Sequence, residues 1–227
     1  MNKEVKKIVE AVRAPLANEK EIKMVEIIML KYKDPEVETR AVQHIIENTD
    51  YPFKLTVYDN RVNNKNISKI WNKLIKESTC DYVCILDSDA FVPPGWLTKM
   101  MSTFEKEDCY VVLPKVSNTS CSQQRADKEE DKEPEVLKEI LAAQCVLYKK
   151  EIFEKIGYFD EDFLLYGQDS EWGDRLLKSK YKGYVRPDVL VKHVGSVSIK
   201  KTRKEGSYNP QIERIYAGTL FRKKTGR

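Results

Sequence analysis

The feature that most constrains this chain is an apolar run, Tyr82-Val83-Cys84-Ile85-Leu86, that stops at two carboxylates, Asp87 and Asp89, with Ser88 between them. Pro93-Pro94-Gly95 then breaks the chain ahead of a helix-like segment. A run apolar on both faces suits a strand buried in a parallel sheet, where helices cover both sides. Acids that end such a strand lie at its carboxyl end, the edge at which open α/β sheets bind ligands. Two carboxylates one residue apart at the mouth of a crevice can share one hard cation, and that cation can hold a pyrophosphate. An Asp-x-Asp triplet also arises by chance in a chain this acidic, and a second one, Asp160-Glu161-Asp162, is present. The strand before Asp87 and the order of elements around it set the first triplet apart.

That order is a repeated strand–helix alternation. Val25, Ile27, Ile28, Met29 and Leu30 predict a first strand over 24–31, and Asp34-Pro35 opens a helix running to about residue 48. A second strand is expected over 53–58, ending at Asp59-Asn60, then a helix over 67–77 with Ile67, Ile70, Trp71, Leu74 and Ile75 on one face. The run before Asp87 is the third strand, followed by a helix over 96–104 and a fourth strand over 110–113. Strands alternating with helices predict an α/β fold with a mostly parallel, Rossmann-like sheet and helices on both faces.

Further along, 142–148 reads as a strand and 151–156 as a short helix ended by Gly157. A helix begins near Asp169, and 184–186 and 190–192 are short strands that lead to His193-Val194-Gly195-Ser196. Residues 117–134 are dense in charge and poor in apolar side chains, the composition of a mobile surface loop. Val5, Ile8, Val9 and Val12 have helical spacing, so residues 1–23 are expected as a helical appendage to a main domain over 24–198. Residues 199–227 form a basic tail with helical spacing through Ile212, Ile215, Tyr216, Leu220 and Phe221. Such a tail suits peripheral contact with an anionic membrane, or simple packing on the domain.

Composition narrows the class. With 227 residues, 41% of them hydrophobic, there is ample material for one large domain. The net charge of +4 is spread over interspersed Lys and Glu, and calls for no nucleic-acid partner. The five cysteines are odd in number and include no Cys-x-x-Cys pair, which points to a reducing compartment and away from a zinc site. No apolar run approaches the roughly 18 residues of a membrane span. The first ten residues lack an apolar signal core, so a soluble, cytoplasmic protein is expected.

Three motifs, taken in order, resemble those of the family 2 glycosyltransferases of the GT-A fold. They are Val57-Tyr58-Asp59-Asn60, then Leu86-Asp87-Ser88-Asp89, then a long pattern from Gly157-Tyr158-Phe159-Asp160 through Tyr166-Gly167-Gln168-Asp169-Ser170-Glu171-Trp172 to His193-Val194-Gly195-Ser196. The resemblance implies an inverting transfer of a sugar from a nucleotide-diphosphate donor to the hydroxyl of a glycan, glycolipid or glycoprotein acceptor. By that resemblance Tyr32 and Asp59 would meet the nucleobase, and Arg61, Asp87, Ser88 and Asp89 would complete the donor site. Asp89 would be the more direct metal ligand, Asp87 would lie nearer the ribose, and His193 would complete the metal shell. Asp169 falls where the family places its catalytic base.

The chemistry asks for the same residue types. A departing nucleoside diphosphate carries negative charge that a divalent cation neutralises. Oxygen ligands select Mg²⁺ or Mn²⁺, and one imidazole leans the choice toward Mn²⁺. A positioned carboxylate can take the proton of the attacking hydroxyl. Each residue also has a plainer reading. Asp169 and Glu171 suit a helix's first turn whatever the chemistry. Trp96 and Trp172 are stacking platforms for a sugar or core residues, and His193 is a ligand or simply a strand-end residue before Gly195.

Several positions depart from the family pattern. Gln168 stands where an acid usually precedes the base, Arg61-Val62-Asn63-Asn64 replaces the usual Gly-Ser, and Lys31-Tyr32-Lys33 replaces Thr/Tyr-Asn. There is no Gln-x-x-Arg-Trp motif, which argues against a processive polysaccharide synthase. Gln168 is the substitution that favours the alternative, a non-catalytic module binding a nucleotide sugar or glycan. A nucleotidyltransferase would show a Gly-rich signature after the first strand, and none follows Leu30.

Overall fold

In the computed structural model, which describes residues 12–13, 23–31, 34–61, 66–195 and 210–227, three parallel strands form the heart of the sheet. They are β2 (Val25–Lys31), β3 (Phe53–Asp59) and β4 (Tyr82–Leu86). β2 lies in the middle, with Lys31 opposite Asp59 on one side and Met29 opposite Leu86 on the other. All three strands therefore end at one edge, which carries Asp59, Asp87 and Asp89.

β1 (Val12–Arg13) adds antiparallel to β3, so at these two residues the expected helix gives way to a strand. The rest of the predicted helix over 1–11 lies outside the described residues. On the other side of β4, β8 (Cys145–Lys149) runs antiparallel between β4 and β6 (Val111–Val116). β9 (Gly183–His193) then pairs parallel with β6. Two short strands, β5 (Ala90–Phe91) and β7 (Glu135–Val136), add antiparallel to β9. The sheet is mixed, with its two longest pairings, β2–β3 and β6–β9, parallel, and the expected α/β architecture holds.

Helices cover both faces because successive strand residues point to opposite sides. Ile27, Met29, Cys84 and Leu86 pack with α1 (Pro35–Asn48) and α3 (Trp96–Lys106). Ile28, Val83 and Ile85 pack with α2 (Ile67–Glu77), α4 (Ile152–Ile156) and α5 (Gln168–Lys178). α1 starts where its sequence says it should: Asp34 Oδ1 accepts from Val37 N at 3.3 Å, and Pro35 takes the first turn, where no amide proton is needed. Asn66 caps α2 in the same way. The last helix, α6 (Pro210–Thr225), packs on α5.

Two expectations change. The segment expected as a mobile loop over 117–134 is tied into the fold. Gln124 is fully buried, and its side chain donates to Ala142 O at 3.2 Å and accepts from Ala142 N at 2.8 Å. Arg125 donates twice to Thr119 O. Polar composition signals a loop because it offers little apolar burial, but polar side chains can also satisfy buried backbone groups. The two short strands expected near 184–192 are one strand, β9, which continues through Pro187 with a register shift opposite Pro114 and Lys115. Its proline is tolerated because the ladder is already interrupted there.

All five cysteines are free and buried. Among the described residues no helix is long and apolar enough to cross a membrane.

Candidate active site

β4 delivers Asp87 and Asp89 to the carboxyl edge of the sheet, and the short pairing of β5 with β9 brings His193 to them. Ala90 lies opposite His193, and Val194 N donates to Asp89 O at 3.1 Å. The three side chains place one ligand atom each within 4.8 Å of one another. His193 Nε2 stands 3.2 Å from Asp89 Oδ1 and 3.6 Å from Asp87 Oδ2.

Two further contacts aim the imidazole. Its Nδ1 donates to Asn118 O at 2.6 Å, which fixes the proton there and turns Nε2 toward the carboxylates. His193 N donates to Ser117 Oγ at 3.1 Å. Burial alone would lower the imidazole pKa, but the Asp89 hydrogen bond and both carboxylate charges outweigh it and hold His193 up at about 9. A positive charge at Nε2 is thus what this pocket favours. Two carboxylates with one imidazole is a donor set suited to Mn²⁺, and to Mg²⁺ less closely, so the residues present fit a divalent cation.

Asp169 lies near this cluster, in the first turn of α5, close enough for its charge to act on Asp87. Its Oδ2 accepts from Ala143 N at 3.1 Å and its Oδ1 from Ser170 N at 2.8 Å. The next residue, Gln144, accepts from Asp87 N at 2.9 Å, so one short stretch of chain braces both acidic sites. Burial raises the Asp169 pKa, while its backbone hydrogen bonds pull it partly back. Burial also raises Asp87; the His193 charge opposes that rise, and the Asp89 and Asp169 charges add to it. The Asp87 side chain is 38% exposed, so solvent screens part of this effect.

Not every residue singled out in the sequence joins this group. Arg61 turns back on Asp59, donating from Nε to Oδ1 at 2.8 Å and from Nη2 to Oδ2, so its guanidinium is occupied rather than reaching toward a phosphate. This pairing holds the Asp59 carboxyl below the usual range. Ser88 sits in the turn between the two acids. Tyr32 lies outside the described residues.

Trp96 and Trp172 are corrected outright as sugar platforms, since both are 0% exposed. Trp96 donates to Thr49 Oγ1 at 3.0 Å and Trp172 to Gly157 O at 2.9 Å, each inside one of the two cores. Gln168 is buried, and its Oε1 has no hydrogen-bond partner among the described residues.

Sequence reasoning missed Ser117, Asn118, Ala143 and Gln144. The Asn118, Ala143 and Gln144 contacts run through backbone atoms, which carry no side-chain signature. The only sequence clue was the Ser-Asn-Thr-Ser string that reads as an ordinary loop.

Known proteins share this architecture. The model of the family described as Glycosyl transferase family 2 matches residues 4–169, the greater part of the chain. No curated protein matches it. Among solved structures, GalNAc-T7 with UDP, GalNAc and Mn2+ superposes with a TM-score of 0.58 at 11% identity over 77% of this chain. S. aureus TarS 1-349 superposes with a TM-score of 0.59 at 15% identity over 78% of this chain. The full TarS structure gives the same score. This chain spans 44%, 62% and 38% of those three chains, respectively. Likeness at that identity concerns the fold, and the family match concerns the sequence. Together they establish that the chain belongs to glycosyl transferase family 2 and has the GT-A fold.

Proposed function

We propose that the protein transfers a sugar from a nucleotide-diphosphate donor to an acceptor hydroxyl with inversion at the anomeric carbon. The observation that carries this reading is the cluster of Asp87, Asp89 and His193 with Asp169 close enough for its charge to act on Asp87, the adjacent residues Ala143 and Gln144 bracing both sides. A divalent cation held by Asp87, Asp89 and His193 would supply Lewis-acid stabilisation of the departing diphosphate. Asp169 takes the proton of the acceptor hydroxyl as that oxygen bonds to the anomeric carbon. The bond from this carbon to the diphosphate breaks on the opposite face, and its electron pair leaves with the diphosphate.

The anchoring of Asp169 suits such a base. The two backbone donors fix its orientation, and burial keeps its pKa above the ordinary carboxylate value, which strengthens it as a proton acceptor. Activity should therefore fall as pH drops through that raised pKa, because only the ionised form accepts a proton. UDP with Mn²⁺ is the first probe to use, being what the GalNAc-T7 structure contains.

Titration calorimetry separates the two roles. Asp89→Ala should abolish Mn²⁺-dependent UDP binding. Asp169→Asn should leave it nearly intact while lowering turnover by roughly 10²–10⁴-fold. Equal UDP affinity in wild type and Asp89→Ala would reject the cation assignment. Release of nucleoside diphosphate from any sugar donor would exclude a purely binding module.

A further inference from the structure

Beside Asp169 is an open cavity of about 870 Å³, walled by α5, α6 and residues 138–141. It meets the site at Ser170, whose Oγ lies 3.4 Å from Asp169 Oδ1. Its volume falls within the range of small-molecule sites.

The wall contributed by α6 is basic for a geometric reason. Ala217 is buried against α5, where a Cβ built on Gly167 would come within 3.4 Å of it. That contact turns Arg214, Gly218 and Arg222, spaced four residues apart on one helical face, toward the cavity. Arg227 completes this wall, with part of its charge answered by Asp174 at 3.0 Å. Opposite them Lys138 is adjacent to Glu139, whose carboxylate is already taken by Ser122 Oγ and Gln123 N. The Arg214 guanidinium lies 5.0 Å over the ring of Tyr166 and acts on its hydroxyl. The cavity therefore has an excess of cationic charge, Arg214, Arg222, Arg227 and Lys138 against Glu139, and it lies beside the carboxylate assigned as the base.

We propose that this cavity seats the acceptor and selects one that carries an anionic group, phosphate or carboxylate, away from the hydroxyl to be glycosylated. Guanidinium groups bind such oxyanions through paired, charge-assisted hydrogen bonds, which a neutral sugar does not offer. The word acceptor rests on the transfer reading above; the preference for anions rests on the cavity alone.

Calorimetry with glycerol 3-phosphate, glucuronate and methyl glucoside, alongside Mn²⁺–UDP, tests both parts separately. The two anions should bind at least about tenfold more tightly than the glucoside, and Arg222→Gln should remove most of that margin. Arg222 is exposed, so its replacement leaves the packing of α6 alone, and Arg214→Gln is the second variant. Mn²⁺–UDP affinity should be unchanged in both. Flotation with phosphatidylglycerol vesicles against phosphatidylcholine vesicles identifies the source. Arginine-dependent binding to the former without binding of the soluble anions assigns the charge to a lipid headgroup, and the reverse assigns it to a soluble acceptor. Equal binding of the glucoside and the anions without arginine-dependent vesicle binding, or full anion affinity in both arginine variants, would overturn the proposal. Arginine-dependent anion binding in a protein that fails to bind Mn²⁺–UDP would sink the transfer reading and leave the anion site standing.

Discussion

Gly195 shows how little room there is beside Asp87, Asp89 and His193. Its φ is 77°, a conformation side chains avoid, and an added Cβ would fall 2.2 Å from Asn118 Nδ2. Asn118 in turn donates to Val194 O at 3.3 Å and accepts from His193 Nδ1. Gly195→Ala should therefore displace Asn118 and loosen the aim of the imidazole without touching a ligand. Loss of such outer partners weakens metal sites by roughly 10–100-fold. Mn²⁺ titration of Gly195→Ala should show a drop of that order, and unchanged affinity would mean that the Asn118 contact does not orient His193.

Among the elements, the segment between β6 and β8 departs most from its composition. Gln124 braces it by bonding both backbone groups of Ala142, beside the Ala143 amide that anchors Asp169. Gln124→Ala leaves those buried groups without their partner and should cost about 2 kcal/mol. Denaturant unfolding should show a lower midpoint with an unchanged slope. A shift under about 0.5 kcal/mol would mean the segment is not braced there. The second acidic triplet serves the fold as well. Asp160 and Asp162 both hold Lys224 at the end of α6, so these acids fasten a helix rather than a cation.

At the scale of the whole molecule, stability follows from a sheet buried on both faces, and one charge inside it gives a pH signature. Glu26 on β2 is fully buried, and its Oε1 takes Thr56 Oγ1 at 2.5 Å and Lys54 Nζ at 3.2 Å. Burial would raise its pKa, but the Thr56, Ser78 and Lys54 interactions together outweigh burial and leave it below the ordinary value. A carboxyl with a lowered folded pKa binds fewer protons when folded. It contributes stability above the unfolded pKa and loses it as pH falls through the folded one. Thermal melts of wild type should therefore weaken on acidification below roughly pH 4.5, and Glu26→Gln should flatten that part of the curve. Identical acid limbs in the two proteins would contradict this assignment.

The sequence by itself determined the parallel strands β2, β3 and β4, the helices between them and the placement of Asp87 and Asp89 at the sheet's edge. Those features follow from local periodicity, breakers and caps, which act between residues close in the chain. Its motifs also singled out His193 and Asp169, though not what holds them. Only the tertiary structure decided that β8 runs antiparallel between β4 and β6, that 117–134 is braced, that Arg61 is spent on Asp59 and that both tryptophans are core. Each of these depends on partners far apart in sequence, often on backbone atoms, and a backbone amide or carbonyl looks the same at every position until the fold gives it a neighbour.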